Sequence, residues 1–578
     1  MMKQDFDLIK KGFLNNLPSM MFISLGGIVN TFIDTALISK CLGETGIAAL
    51  NLCMPVYLII CMISMLFATG SVTLSAKASG QNNRDLERAY YLNAFTLYLI
   101  TGAITTALGI IFLPLICKVL SAGNNELSEL IYDYSFVTFI GVFPLLVIGF
   151  FQMYLNLDGK NKAMSISMII MVLLDFLLDI IFLFVFRLGM TGAATASVIA
   201  ALTASIYAFK CLGGENANYR FDWKELGVLH TLEIMKYGFS TALANLTDTI
   251  KSLMVNSVIM FSLGTSGMAL WAVINTLMEL SIAISSGISF TGSPMIAMFY
   301  SSKENNYVRY LAKLEMKIGI LLMAVYASMT VFLNSSIKRF FSLEENIFIP
   351  VLCMGIFLVI DMAVCVFIKY FNSTEKIMIS NILTLLKRLI CPVVVILILS
   401  YFKGNLWLFL PISAILSILL AVIIMKIAVV RSQKGNTVQY KDMFLLDDHL
   451  EQENKLLDFS VNTDVESICE SSKKVMDLCI SNHMDRDTAL KISLSLEEMM
   501  IVLINELPNA HNADLRVFTT DKEAGIQIRI LGKPYNIFEH NEREEAIGID
   551  MIKKMASNVS CNYVYLLGCN TYQIFINR

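Results

Sequence analysis

LGETGIA, residues 42–48, returns as LGTSGMA at residues 263–269, and each copy stands between two long apolar runs. A second pair agrees with it: YLNLDGK from Tyr154 recurs as YFNSTEK from Tyr370, each after the fourth apolar run of its half. Crossing a bilayer takes about 20 apolar residues in a helix. Runs of that length fall at 14–39, 46–70, 90–117, 131–156, 163–186 and 190–210, then at 237–263, 267–290, 310–334, 347–371, 378–401 and 405–430. Two groups of six result. Six is even, so both groups enter the membrane from the same side, as parallel repeats related by an axis along the membrane normal. The expected fold is an all-α polytopic membrane protein, twelve transmembrane helices in two six-helix lobes around a cleft suited to alternating access. A C-terminal soluble α/β sandwich domain follows.

Composition agrees with this reading. Of 578 residues 56% are hydrophobic and 16% charged, and the mean hydropathy of +0.65 is too high for a soluble globular chain. The net charge of -3 is uninformative over the whole chain, because the charges sit in short loops and in the last quarter; nucleic acid is not an expected partner. The expected partners are the lipid bilayer, a small-molecule substrate and a cytoplasmic protein bound by the tail. The 12 cysteines are scattered with no C-x-x-C pair, and four of the five histidines lie beyond residue 440; neither a disulfide framework nor a histidine metal site is expected. The apolar run behind MMKQDFDLIKKGF is too long for a signal h-region and should stay as an anchor. Lysine and arginine concentrate in alternate loops, which places both termini in the cytoplasm of a plasma-membrane protein. The expected boundaries are 1–212 for the first lobe, 213–236 for an inter-lobe loop, 237–431 for the second lobe, 432–454 for a linker and 455–578 for the tail domain.

The tail has soluble periodicity. Asp464 to Met484 and Asp485 to Leu507 read as amphipathic helices with aspartate N-caps. LRVFTTD and IQIRIL read as strands about a turn at Glu523-Ala524-Gly525, followed by a helix near Glu542 to Ala556 and strands CNYVYLL and TYQIFIN.

Charges inside the apolar runs are few. Asp34 sits in NTFIDTALIS, residues 30–39, where a central charge costs roughly 2.5–3.5 kcal/mol on insertion scales. Asp175 and Asp179, in LLDFLLDIIF, share one helix face at i, i+4 with no basic partner nearby in sequence; such a pair must hold a proton or share a cation. With Asp34 they suggest a proton or sodium site in the first half, and Asp361 is a candidate for a matching site in the second. Asp248 and Lys251, at i, i+3, read as a neutralising pair. Lys369, Lys387 and Arg388 read as residues near cytoplasmic ends or able to snorkel. Glu279, central in the eighth run, is a candidate contact for a cationic substrate.

Residues 8–430 resemble the multidrug and toxic compound extrusion (MATE) family through IDTALISKCLGETGIAAL, GSVTLSAKASGQNNRDLERA and LLDFLLDIIFLFVFRLGMTGAATAS. The resemblance implies export of organic, often cationic, compounds by proton or sodium antiport rather than an enzyme activity; the alternatives are a membrane receptor or signalling protein that uses the transporter fold as sensor, and a flippase for a lipid-linked precursor. Asp34 and Asp179 match its first-lobe ion-coupling carboxylates and would hold a sodium ion if sodium is used. Asp175 falls where asparagine is usual, Asp361 matches an acid of some branches, and Glu279 and Asp248 are the candidate substrate contacts. The tail resembles the histidine-kinase-like (GHKL) ATPases of the anti-sigma-factor kinase type through LSLEEMMIVLINE, ILGKPYN and EEAIGIDMIKKM. Glu498 stands at the general-base position, with Gly532 and Gly548 in the loop motifs. Val502 replaces the magnesium-binding asparagine, Ile530 or Leu531 the adenine-binding aspartate, and Ala546 the first glycine of the last motif. These departures imply a degenerate site without a bound cofactor, and a regulatory or partner-binding role.

Overall fold

The computed structural model describes residues 6–81, 83–121, 125–213, 219, 221, 227–340, 347–432, 440–508, 510–539 and 546–578. Of the expected inter-lobe loop, 213–236, residues 214–218, 220 and 222–226 lie outside the described residues, as do residues 433–439 of the expected linker, 432–454. Two compact units form: Asn15–Glu304 with Val308–Phe444, and Met1–Leu14 with Asn305–Tyr307 and Leu445–Arg578.

The membrane part is helical throughout: α1 (Asp7–Gly80), α2 (Arg84–Leu120), α3 (Asn125–Ile140), α4 (Val142–Leu157), α5 (Asn161–Asp179), α6 (Gly189–Leu212), α7 (Thr231–Ser301), α8 (Asn305–Phe332), α9 (Asn334–Phe340), α10 (Phe348–Ser373), α11 (Ile377–Leu385), α12 (Cys391–Tyr401) and α13 (Phe409–Ser432). Helices are forced on such sequences because hydrocarbon offers the backbone no other hydrogen-bond partners. Ten helices among the described residues are long and apolar enough to cross a membrane, or eleven when the α3–α4 pair, bent by 55°, counts as one. The expected run at 237–263, which carries Asp248 and Lys251, is not among them.

α1 and α7 are each too long for one crossing, and side-chain contacts show that both fold back. Along the first arm of α1, Asn16 meets Asn161, Asn30 meets Asp175 and Cys41 meets the Leu183 carbonyl, so this arm runs parallel to α5. Beyond it, Cys53 meets Ser135, Ser64 the Leu146 carbonyl and Ser75 the Tyr154 hydroxyl, so this arm runs parallel to α3 and α4. α4 and α5 are antiparallel neighbours joined by a tight corner, so the chain must reverse between Cys41 and Cys53, where LGETGIA lies. In α7, Trp271 Nε1 donates to Asn256 Oδ1 at 2.8 Å, whereas fifteen residues of straight helix span about 22 Å. The reversal there encloses LGTSGMA. Both segments are helical rather than the loops their small residues suggest.

The second sequence pair forms matching corners. Gly159 and Glu375 have φ of +67° and +66°, and the residues after them, Lys160 and Lys376, have φ/ψ of -84°/51° and -88°/49°. Glycine is the residue suited to the left-handed region; in the second copy Glu375 occupies it, with its carboxylate 3.0 Å from Lys77.

At the α3–α4 bend, Gly141 lies against Val198 of α6, where a Cβ would collide with the valine side chain. Gly141→Ala should therefore lower stability by about 1–3 kcal/mol, read as the unfolding midpoint of detergent-solubilised protein, and Val198→Ala should recover part of the loss.

The tail holds α14 (His449–Gln452), α15 (Val465–Ser481), α16 (Arg486–Glu506), α17 (Ala546–Met555) and five strands: β1 (Leu456–Asn462), β2 (Asn512–Thr519), β3 (Glu523–Leu531), β4 (Asn558–Val564) and β5 (Cys569–Asn577). The sheet is antiparallel in the order β1-β2-β3-β5-β4. One face is an apolar lattice, with Phe459, Leu515, Ile528 and Tyr572 in one cross-strand row and Leu457, Val517, Ile526 and Ile574 in the next. α15 and α16 complete this core with Ile468, Val475, Leu496 and Met500. Asp464 and Asp485 cap these helices by accepting from the Ser467 and Thr488 backbone N–H groups, each at 2.8 Å. Those hydrogen bonds hold both carboxyls below the usual carboxylate range. The β2–β3 reversal lies at Thr519 to Lys522, with the Thr520 N–H donating to the Glu523 carbonyl at 2.8 Å. The expected turn residues Glu523 to Gly525 are instead in β3, where Gly525 makes room for the Phe518 ring opposite. β1 has no counterpart in the expected elements; its alternating LLDFSVN was a usable signal.

Candidate ion site and central cavity

Asn30 and Asp34 are one turn apart on α1, and Asp175 and Asp179 one turn apart on α5. Because these arms run side by side in one direction, the two turns face each other. Asn30 Nδ2 donates to Asp175 Oδ2 at 2.6 Å and approaches Asp34 Oδ2 at 3.5 Å, while Ser197 Oγ of α6 donates to Asp175 Oδ2 at 3.4 Å. Asp34, Asp175 and Asp179 each offer an oxygen within 4.8 Å of the others. Asp175 and Asp179 are buried. Asp34 Oδ1, Asp175 Oδ1 and both Asp179 oxygens have no hydrogen-bond partner, and no lysine or arginine pairs with the trio among the described residues. Three negative charges so close, two buried and one half-buried, require protons or a cation between them. The all-oxygen set suits a hard cation, whose ligand distances are roughly 2.3–2.6 Å for an ion of calcium's size. Past Asp179 the helix widens into a π-turn, Ile180–Val185, a distortion found often at functional sites. Asn30 and Ser197 were absent from the sequence candidates; the asparagine one turn before Asp34 was the available signal.

In the second half, Asp361 and Asp248 each face a cation. Lys387 Nζ is 3.0 Å from Asp361, Lys251 Nζ is 3.0 Å from Asp248, and Arg388 also pairs with Asp248. Lys387 is only 8% exposed. It and Arg388 lie in a π-turn, Leu386–Ile390, and turn inward to these acids instead of snorkelling. Neither Asp361 nor Asp248 joins the trio. Glu279 is on an exposed face, accepting from Asn275 Nδ2 at 3.1 Å. A carboxylate absent from the sequence candidates, Glu315, three turns into α8, is fully buried with both oxygens unpartnered, packed against Gly292.

A cavity opens where the two groups meet, and its walls come as repeat-equivalent pairs. Counting from Leu42 and Leu263, Thr69 corresponds to Phe290, Val72 to Ser293 and Thr73 to Pro294. Counting from Tyr154 and Tyr370, Met153 corresponds to Lys369 and Asn156 to Asn372. Met20 completes the lining, and its equivalent, Thr241, accepts from Lys369 Nζ at 3.4 Å. The Asn156 amide has no partner at either atom, and Ser293 Oγ and Asn372 Oδ1 have none.

In the tail, Glu498 lies against the backbone of Gly548, bringing two of the motif positions together. Val502 packs on the apolar core and Ile530 is fully buried in it, so neither offers an oxygen to a ligand. Gly532, at φ +156°, lies against Leu507. The side chain of Ala546 and the residues just before it lie outside the described residues.

The MatE family model matches residues 20–181. The multidrug export protein MepA of Staphylococcus haemolyticus is 23% identical over 57% of this chain and 73% of its own length. A FAD transporter of Shewanella oneidensis is 28% identical over 35% of this chain and 46% of its own. A solved outward-facing multidrug resistance MATE transporter superimposes with a TM-score of 0.68 at 18% identity, covering 75% of this chain and all of that one. The membrane part has the MATE fold. Family model, relatives and fold all point to similarity with MATE transporters. The MatE match contains all four residues of the Asn30–Asp179 cluster. In this chain Asp175, at the position where the resemblance leads one to expect asparagine, accepts from Asn30 and Ser197.

Proposed function

We propose that this protein is a secondary active exporter of small organic compounds, driven by protons or sodium ions that load the site of Asp34, Asp175 and Asp179. The observation that carries the reading is the trio itself: three carboxylate oxygens within 4.8 Å, with unpartnered buried atoms and no paired lysine or arginine among the described residues. Such a cluster is stable only when loaded from outside, and loading that changes with access state is what couples an ion gradient to cargo movement. The paired Asp361 and Asp248 hold the second half together in this reading, and export is outward across the cell membrane from a cytoplasm that holds both termini. The test is export from proteoliposomes under pH and sodium gradients imposed separately.

The tail regulates the transporter in this reading. Support comes from the missing oxygen at Val502 and the core position of Ile530, which leave a nucleotide without metal and adenine contacts. Calorimetry of the full chain with Mg-ATP should show no hydrolysis and at most millimolar binding. Deletion after Lys434 should leave coupled export in place with an altered rate; rates identical to full length across all gradients would remove the regulatory role.

A further inference from the structure

Among the repeat-equivalent pairs of the cavity wall, Asn156 and Asn372 are identical, and one pair alone differs in charge: Met153 on α4 is matched by Lys369 on α10. An ammonium group inside a membrane protein is costly unless something offsets it. Lys387 and Arg388 are offset by Asp361 and Asp248. Lys369 has no carboxylate partner among the described residues; its Nζ meets the Thr241 hydroxyl at 3.4 Å and lies 5.5 Å from the Phe290 ring centroid. Among the described residues, no acidic side chain lines the cavity. Beside this cation stand the unpartnered Asn156 amide and Ser293 hydroxyl, donors of the kind that complete the coordination of an anionic oxygen.

We propose that the central cavity binds the anionic group of an organic cargo, a carboxylate or a phosphate, with Lys369 as its charge partner and Asn156 and Ser293 as hydrogen-bond donors. This rests on the exporter reading and replaces the organic cation that Glu279 and Asp248 suggest in the sequence. Met153, Val72 and Phe290 supply apolar wall for the rest of the cargo. The site is separate from the acidic trio: Met20, in the cavity lining, precedes Asn30 by ten residues of helix, about 15 Å. An inward-moving cation and an outward-moving anion thus need not compete for one set of ligands.

The test is equilibrium binding to the purified full-length protein, followed by fluorescence anisotropy, with carboxyfluorescein as carboxylate probe, riboflavin 5′-phosphate as phosphate probe and ethidium as cationic comparator. The expected result is binding of at least one anionic probe, weakened about tenfold or more by Lys369→Met, the residue of the other repeat. Lys369→Arg should stay within a few-fold of wild type, and Asn156→Ala should weaken the same probe without touching ethidium. Whichever anionic probe binds more tightly assigns the site to carboxylate or phosphate. Wild-type affinity for both anions in Lys369→Met, or a wild type that binds ethidium and neither anion, overturns the proposal. Should Lys369→Met not fold, unchanged anion binding in Asn156→Ala overturns the assigned ligand set. Loading the bound probe into proteoliposomes separates the two readings: Lys369-dependent binding without gradient-driven export leaves the anion site standing and overturns the exporter.

Discussion

Asp34→Asn and Asp179→Asn should each abolish gradient-driven export while leaving a folded protein that still binds cargo. The amide keeps the size and the hydrogen-bonding capacity of the side chain but cannot release a proton or carry the charge that holds a cation. Either substitution therefore leaves the cluster one charge short in every access state, and an ion that binds both states equally shifts nothing. Asp175→Asn should be milder. It restores the residue type that the family resemblance suggests there, and Asn30 and Ser197 can still hold an amide oxygen. The measurement is initial export rate in proteoliposomes at matched protein amounts, with cargo affinity measured alongside. Undiminished export in both Asp34→Asn and Asp179→Asn would remove the trio from the coupling mechanism.

The second large effect belongs to the other half and is one of stability. Lys387→Met should strand the Asp361 carboxylate, which is 17% exposed, without its cation. Removing one partner of a buried pair typically costs about 3–5 kcal/mol, much more than replacing both. Lys387→Met should thus lower the unfolding midpoint sharply, and adding Asp361→Leu should recover most of the loss. Equal midpoints for wild type and Lys387→Met would mean that the pair does not hold α10 to the π-turn.

The two sequence pairs, LGETGIA/LGTSGMA and YLNLDGK/YFNSTEK, are local signals, and each marks a reversal of the chain. Those same offsets match ten residues of the cavity lining in five pairs, although no sequence feature says that these ten residues face one space. The acids of the trio were legible for a similar reason: Asp175 and Asp179 share a face by helical spacing alone. That Asn30 completes the cluster depends on α1 and α5 running side by side in one direction, which spacing does not encode. The second half was harder to read. Lys387 and Arg388 sit near an apolar run's end and look free to snorkel, until a π-turn aims them at acids 26 and 140 residues away in sequence. Glu315 was passed over because a carboxylate in the first turns of a span is usually solvated, and here Gly292 makes the room that buries it. In the tail, a glycine read as a turn was a gap cut for Phe518, a cross-strand effect invisible along one strand.

Ion coupling through the trio is the central claim, and flux measured under separated gradients tests it most directly. Proteoliposomes preloaded with a bound probe are given an inward pH gradient or an inward sodium gradient, one at a time, with no nucleotide present. Wild type should export under at least one of them, with inward ion flux rising in step with cargo leaving, and Asp34→Asn should show neither flux. Export that proceeds at the same rate with no gradient, or under a gradient in the Asp34→Asn protein, would contradict the account.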